Sequence, residues 1–204
     1  MSLYEKYVLP HVINCACGSK PMMKQREKIV PLAHGKVLEI GMGSGLNLPY
    51  YDPDKVDMVW GLEPSEGMRE KARSRVEAAP FDVQWLGLPG EEIPLEDHSV
   101  DCIVLTFTLC TIPDWLSALK QMRRVLKPGG KLLFSEHGLA PDAKVEKWQN
   151  RINPSWKVIA GGCNLNRPIP KLIQEGGFNI DSMESMYLPS TPKFVGFSYW
   201  GIAS

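Results

Sequence analysis

Short apolar runs alternate with helical stripes along most of this chain. Lys36-Val-Leu-Glu-Ile40 is a buried-strand pattern ending at Gly41, and Val56 to Leu62 is a second. Phe81, Val83 and Trp85 alternate with Asp82 and Gln84, the period of two that a half-buried strand shows. Val100 to Thr106 is strongly apolar and predicts a central parallel strand. Lys131 to Glu136 predicts a fifth. Between these runs, Ser65 is placed to cap a helix carrying Met68, Ala72 and Val76 at spacing four. Leu116, Leu119, Met122, Val125 and Leu126 form one stripe of another, which Lys127-Pro128-Gly129-Gly130 ends with a basic last turn and helix-stopping residues. Phe178 to Tyr187 and Phe194 to Ile202 are two further strand-like runs on a short link, so the last strand is expected to be antiparallel. The sum is an α/β fold: a doubly wound, seven-stranded, mostly parallel sheet with an antiparallel last strand and helices on both faces.

One domain is expected over residues 1–204. Residues 1–32 read as an N-terminal helical segment with Leu3, Tyr4, Tyr7, Val8 and Val12 on one side. Residues 138–170 read as an insert over the substrate side, with Trp148 and Trp156 capping it.

Composition narrows the function. Lys and Arg number 23 and Asp and Glu 23, so the formal net charge is zero, which disfavours a nucleic-acid partner. With 44% hydrophobic residues the chain can build a core. Its longest nearly apolar stretch, Cys102 to Pro113, is too short for a transmembrane segment, and the N-terminus lacks a signal peptide's apolar centre. Five cysteines do not make a disulfide framework, so a reducing, cytoplasmic setting is expected. No metal is expected: His11, Cys15 and Cys17 have poor zinc spacing and no second ligand pair follows.

The chemistry concentrates in Glu39-Ile-Gly41-Met-Gly43-Ser-Gly45, directly after the first strand. A chain that leaves a buried strand, turns sharply and lets a ligand touch its backbone needs residues without a Cβ. The glycine spacing departs from the dinucleotide fingerprint, and Ser44 is not placed for a nucleophile elbow. Glu63 ends the second strand 20 residues after Gly43, where an acidic residue hydrogen-bonds two ribose hydroxyls in nucleotide-binding sheets.

These residues resemble the class I S-adenosylmethionine-dependent methyltransferases, which have a Rossmann-like fold. Val37 to Gly45 is similar to their first motif and Leu62-Glu-Pro-Ser65 to their second. Glu91-Glu-Ile-Pro94 with Ser99-Val-Asp101, and Leu126-Lys-Pro-Gly-Gly130, resemble later motifs in order. The resemblance implies S-adenosyl-L-methionine as cofactor. Gly41, Gly43 and Gly45 would lie beneath its methionine part, with Asn47 in the same pocket. Glu39 would orient its amino end, and Thr106 would present backbone to the amine. Glu63, beside Pro64, would hold the ribose. Gly90 and Glu91 would read the adenine edge. Many members carry Asp two residues before the latter Glu; here Pro89 stands there, so either backbone reads adenine or Glu91 substitutes.

A narrower resemblance rests on Thr106-Phe-Thr-Leu-Cys-Thr-Ile112, Glu136-His137, Asn153-Pro-Ser-Trp156 and Gly162-Cys-Asn-Leu-Asn-Arg167. These segments are similar to methyltransferase-like proteins that methylate small alkyl thiols. Those relatives carry an N-terminal membrane anchor that is not read in this sequence, so their membrane location is not carried over. Ubiquinone- and menaquinone-pathway C-methyltransferases share the first motifs without the Gly-Cys-x-Leu-x-Arg segment.

Methyl transfer from a sulfonium needs positioning, a dry pocket and a nucleophile in the right protonation state. A thiol is partly ionised near neutrality, so its base can be weak or absent. His137, at the carboxyl edge of the sheet, is the candidate catalytic base. Cys110, Trp156, Asn164 and Arg167 are the candidate acceptor-binding residues, with Arg167 able to hold an anion or to pair with an acid. Cys110 and Cys163 otherwise read as small wall residues, so Cys163→Ser is expected to retain transfer. The leading expectation is methyl transfer to a small, apolar acceptor, a thiol foremost. A non-catalytic S-adenosylmethionine-binding protein and a nucleotide-dependent oxidoreductase are the alternatives. Methylated product, and the preference for S-adenosylhomocysteine over NAD(P)H in calorimetry, separate them.

Overall fold

The computed structural model describes residues 9–204; Leu3, Tyr4, Tyr7 and Val8 lie outside the described residues. Seven strands form one sheet: β1 Gly35–Ile40, β2 Val56–Leu62, β3 Asp82–Leu86, β4 Val100–Thr106, β5 Leu126–His137, β6 Ile180–Tyr187 and β7 Phe197–Ala203. Their order is β3-β2-β1-β4-β5-β7-β6. The pairs among β1 to β5 are parallel, and β7 runs antiparallel between β5 and β6, as the short link requires. From β1 the chain winds outward to β3, then returns to β4 on the other side. The carboxyl ends of β1 and β4 therefore flank the switch point where such sheets bind ligands.

Among the described residues there are six helices of a turn and a half or longer: α1 Leu9–Cys17, α2 Lys20–Ile29, α3 Glu66–Glu77, α4 Trp115–Val125, α5 Ala143–Ile159 and α6 Ile169–Glu175. Ser65 caps α3, its hydroxyl accepting from the Met68 N–H. On one face of the sheet, Leu119, Met122 and Val125 of α4 and Leu172 and Ile173 of α6 pack on Leu38, Ile103, Leu105 and Phe134. On the other, Ile29 of α2 and Val30 pack with Val37, Val59, Val104 and Trp200. Each of these buried side chains contributes roughly 1.5–3 kcal/mol. No helix among the described residues is long and apolar enough to cross a membrane.

The structure departs from the sequence reading in several places. Residues Lys193–Gly196 form a short helix, so the last strand begins at Phe197 and not at Phe194. β5 begins at Leu126, not Lys131, because Leu126 pairs with Val100; residues 127–130, with Gly129 at φ +82°, then bulge out of register before Lys131 pairs with Cys102. The basic last turn of α4 is Arg123 and Arg124, while Lys127 lies beyond the helix and pairs with Asp101 at 2.6 Å. Val12 is 48% exposed and Trp148 60% exposed, so neither is part of the buried core.

The segment over residues 138–170 is fastened by one buried amide. Gln149 of α5 accepts from the Ala140 N–H and donates to the Gly138, Leu165 and Phe194 carbonyls. It fixes the loop that follows α5 against the carboxyl end of β5.

Candidate active site

The bend after β1 is built by backbone that only glycine tolerates. Gly41, Gly43 and Gly45 have φ of +65°, +58° and +74°. The Gly41 N–H donates to the Leu62 carbonyl at 2.8 Å, tying the bend to β2. A Cβ on Gly41 would stand 2.3 Å from Thr108 Cγ2, so Thr108 reaches the bend only because that position is bare. At Gly43 a Cβ would stand 3.3 Å from Met68 Cε, and the residue lines a cleft of about 240 Å³. Gly45 behaves differently: its open side meets Leu48 and Ala72, so it serves the packing of the bend on α3.

Glu63, just past β2, is held in one orientation. Its Oε2 accepts from the Gly43 N–H at 3.0 Å and its Oε1 from the Ser65 N–H at 2.8 Å. It is 8% exposed and lines the cleft. Burial pushes its carboxyl above the usual range, against the pull of those two N–H groups. Each oxygen keeps a lone pair for a further donor from the cleft.

Beneath the bend lies a buried polar network. Glu39 accepts from Asn47 Nδ2 at 2.9 Å and from the Tyr51 hydroxyl at 2.7 Å. Asn47 Nδ2 also donates to Thr106 Oγ1. Arg26, from α2, donates through Nη1 to Asn47 Oδ1 at 2.6 Å and to Thr106 Oγ1 at 2.8 Å. The guanidinium is 5% exposed, and among the described residues it meets no carboxylate at ion-pair distance and its Nε has no partner. Arg26 and Thr106 line the cleft. Burial raises the Glu39 carboxyl to about 7, with Tyr51, Arg26 and Asn47 holding it from going further. The Thr106 carbonyl is already met by the Thr108 hydroxyl at 3.0 Å.

A second cavity of about 220 Å³ adjoins the first and shares Gly41, Glu63, Thr108 and Thr111 with it. Pro64, Gly90 and Glu91 line it together with Pro89 and Ile112. Glu91 Oε1 accepts from the Asp114 N–H at 3.2 Å, which ties the residue 91 loop to the start of α4. Over the first cavity, Leu9, Ile13 and Cys17 of α1 form an apolar cover, with Asn14 bonded to the Ser44 hydroxyl.

None of the acceptor-side candidates lines either cavity; they gather behind Thr111, which lines both and whose Oγ1 lies 3.4 Å from Cys110 Sγ. His137 Nε2 lies 3.2 Å from Cys163 Sγ, and Trp156 Nε1–H donates to the same sulfur at 3.4 Å. Asn164 donates from its backbone N–H and its Nδ2 to the Cys110 carbonyl, both at 2.9 Å. Arg167 donates to the Leu109 carbonyl. Cys110 beside it and burial together push the Cys163 thiol far above the ordinary thiol range, so it faces His137 as a neutral group. The imidazole nitrogen expected to act as a base is thus already engaged.

Several residues escaped the sequence reading. Arg26 sits in the polar run Lys24-Gln-Arg-Glu-Lys28, which reads as a solvated face. Glu136 is fully buried at the end of β5, and its Oε1 accepts from the Thr108 and Leu109 N–H groups. Phe107, with φ of +53°, starts that turn in a conformation rare for a side-chain-bearing residue.

Residues 38–134 match the family model described as "Methyltransferase domain". That match, and the 35% identity over four-fifths of the chain to the curated methyltransferase given next, show the class: the chain belongs to the S-adenosylmethionine-dependent methyltransferases, and its cofactor is S-adenosyl-L-methionine. Among curated proteins it is similar to "Thiol S-methyltransferase TMT1B" of Homo sapiens, 35% identical over 176 residues, which span 80% of this chain and 71% of that protein. It is 28% identical over 172 residues to "Thiol S-methyltransferase TMT1A" of Homo sapiens, spanning 82% of this chain and 69% of that protein. A SAM-dependent methyltransferase of Leishmania major shares the fold, with a TM-score of 0.69 at 16% identity over 97% of this chain and 79% of that one.

Proposed function

We propose that this methyltransferase acts on a small, apolar thiol, and that its cofactor lies along the two adjoining cavities. The observation that carries the thiol is the 35% identity, over four-fifths of the chain, to a protein named for thiol S-methylation. When bound, S-adenosyl-L-methionine supplies a methyl group on a positively charged sulfur. The residues fit it on two points. The buried Arg26 guanidinium, whose hydrogen-bond partners among the described residues are neutral and whose Nε has none there, suits the amino-acid carboxylate. The pinned Glu63 carboxylate suits a sugar diol. Pro64, Gly90, Glu91 and Ile112 offer the walls for adenine, with Gly90 buried and its backbone available for the reading. Glu39 and Asn47 act from below by holding Arg26 and Thr106 in place. Leu9 and Ile13 keep water from the reacting end. The five cysteines are free, which supports a reducing setting, and we place the protein in the cytoplasm.

Replacing Glu63 with alanine is expected to weaken S-adenosylhomocysteine binding by ~1–3 kcal/mol, because its hydrogen bonds are made by a charged acceptor. Calorimetry reads this directly, and an unchanged affinity removes Glu63 from the sugar site. The acceptor is tested with tritium-labelled S-adenosyl-L-methionine across small thiols, phenols and quinols. Label is expected in alkyl thiols. Transfer to quinols or phenols with none to thiols would overturn the reading.

A further inference from the structure

We propose that Cys110, His137 and Cys163 bind a soft divalent cation, zinc foremost, at the acceptor end of the cleft. The two sulfurs and one ring nitrogen all lie within 4.8 Å of one another. A tetrahedral zinc with sulfur at ~2.3 Å and nitrogen at ~2.0 Å places its ligand atoms roughly 3.5–3.8 Å apart. The His137 Nε2 to Cys163 Sγ distance of 3.2 Å already approaches that edge.

The frame around the three residues is fixed. Glu136 Oε1 takes the Thr108 and Leu109 N–H groups, which sets the turn that delivers Cys110. Asn164 holds the Cys110 carbonyl from the opposite loop with two hydrogen bonds. His137 is the last residue of β5, paired with Ser198 of β7. Gly161 and Gly162, at φ of +59° and +90°, turn the chain so that Cys163 faces inward. Trp156 Nε1–H points at the Cys163 sulfur, the kind of outer donor that steadies a metal-bound thiolate. Two thiolates and a neutral imidazole balance the charge of a divalent ion, and softness favours zinc over magnesium or calcium.

Three protein ligands leave a fourth position, as in catalytic rather than structural zinc sites. The cluster borders the cleft: Gly162 abuts Thr111, which lines both cavities. Resting on the thiol reading above, the fourth ligand is the acceptor itself. The thiol gives up its proton to solvent on binding. Its sulfur lone pair then forms the new S–CH3 bond while the methyl–sulfonium bond breaks, its electron pair staying on the nucleoside thioether. The methylated product is a neutral, weaker ligand and leaves, and the zinc keeps its oxidation state. In this arrangement His137 is a ligand, not a base, and Cys163→Ser abolishes the site, reversing the expectation from sequence.

The test uses the whole, reduced chain, first with zinc and then with cobalt(II) as a spectroscopic stand-in. One zinc per chain is expected after gel filtration, and cobalt is expected to show thiolate charge-transfer and tetrahedral d–d bands. Cys110→Ser and Cys163→Ser should lose stoichiometric metal while still binding S-adenosylhomocysteine, which shows that they fold. Trp156→Phe should weaken zinc ~10–100-fold. No uptake by the reduced wild type, or uptake kept in Cys163→Ser, overturns the site. Propanethiol is expected to shift the cobalt bands. Thiols that are methylated but leave those bands unmoved contradict the open position, with the thiol function intact. A metal-loaded protein that methylates no thiol contradicts the function and leaves the metal site standing.

Discussion

Replacing Arg26 with methionine is expected to lower the affinity for S-adenosylhomocysteine by ~1.5–3 kcal/mol, about ten- to one-hundred-and-fifty-fold, the range for a hydrogen bond between charged groups. The argument starts from burial. A guanidinium that is 5% exposed has lost most of its water, and burial lowers its pKa accordingly. Among the described residues its two hydrogen bonds go to an amide oxygen and a hydroxyl, neither of which neutralises it. Such a group is costly to bury unless a carboxylate pairs with it. It lines the cleft, so a carboxylate bound there offsets the cost of its burial. Methionine keeps the length and the packing on Phe107, whose ring lies 5.3 Å from the guanidinium carbon, and removes the charge. Calorimetry on the variant is the check, and wild-type affinity would show that the carboxylate lies elsewhere.

The second large effect concerns Glu39 and stability. Its carboxyl holds a proton up to about pH 7 in the folded chain, against an ordinary value of 4.5. Between those values the folded state binds more protons than the unfolded state, so stability falls as pH rises through this window and levels off above about 7. At 1.36 kcal/mol per unit, the loss between about pH 5 and pH 8 is on the order of 2–3 kcal/mol. Glu39→Gln keeps the shape and an acceptor for Asn47 or Tyr51 but carries no proton to lose. Urea unfolding at the two pH values should show that much less pH dependence in the variant. Equal slopes for both proteins would mean that Glu39 is ionised in the fold across the window.

The two chemistries were unequally legible in the sequence. β2 and β4 could be read residue for residue, because each runs apolar and mostly buried after a single Asp at its second position (Asp57, Asp101). Gly41, Gly43 and Glu63 were legible because their roles depend on adjacent backbone and on a strand spacing fixed by the βαβ unit. Arg26 was hidden by its neighbours: one buried cation within Lys24-Gln-Arg-Glu-Lys28 has no signature of its own. Leu126 joined the helical stripe on paper because it continues the spacing of α4, and only its pairing with Val100 moves it into β5. The Cys110, His137 and Cys163 constellation spans three segments far apart in the chain, which β4, β5 and the α5 loop bring together. No local spacing rule reaches across such distances.

The central claim is that the bare bend after β1 and the carboxylate of Glu63 together receive the nucleoside. A crystal structure with S-adenosylhomocysteine tests it most directly. The sugar hydroxyls are expected on Glu63, with the amino-acid carboxylate on Arg26 and the chain of the ligand passing over Gly43. A ligand bound away from Glu63, or a bend that stays closed by its own side chains at saturating ligand, would contradict the account.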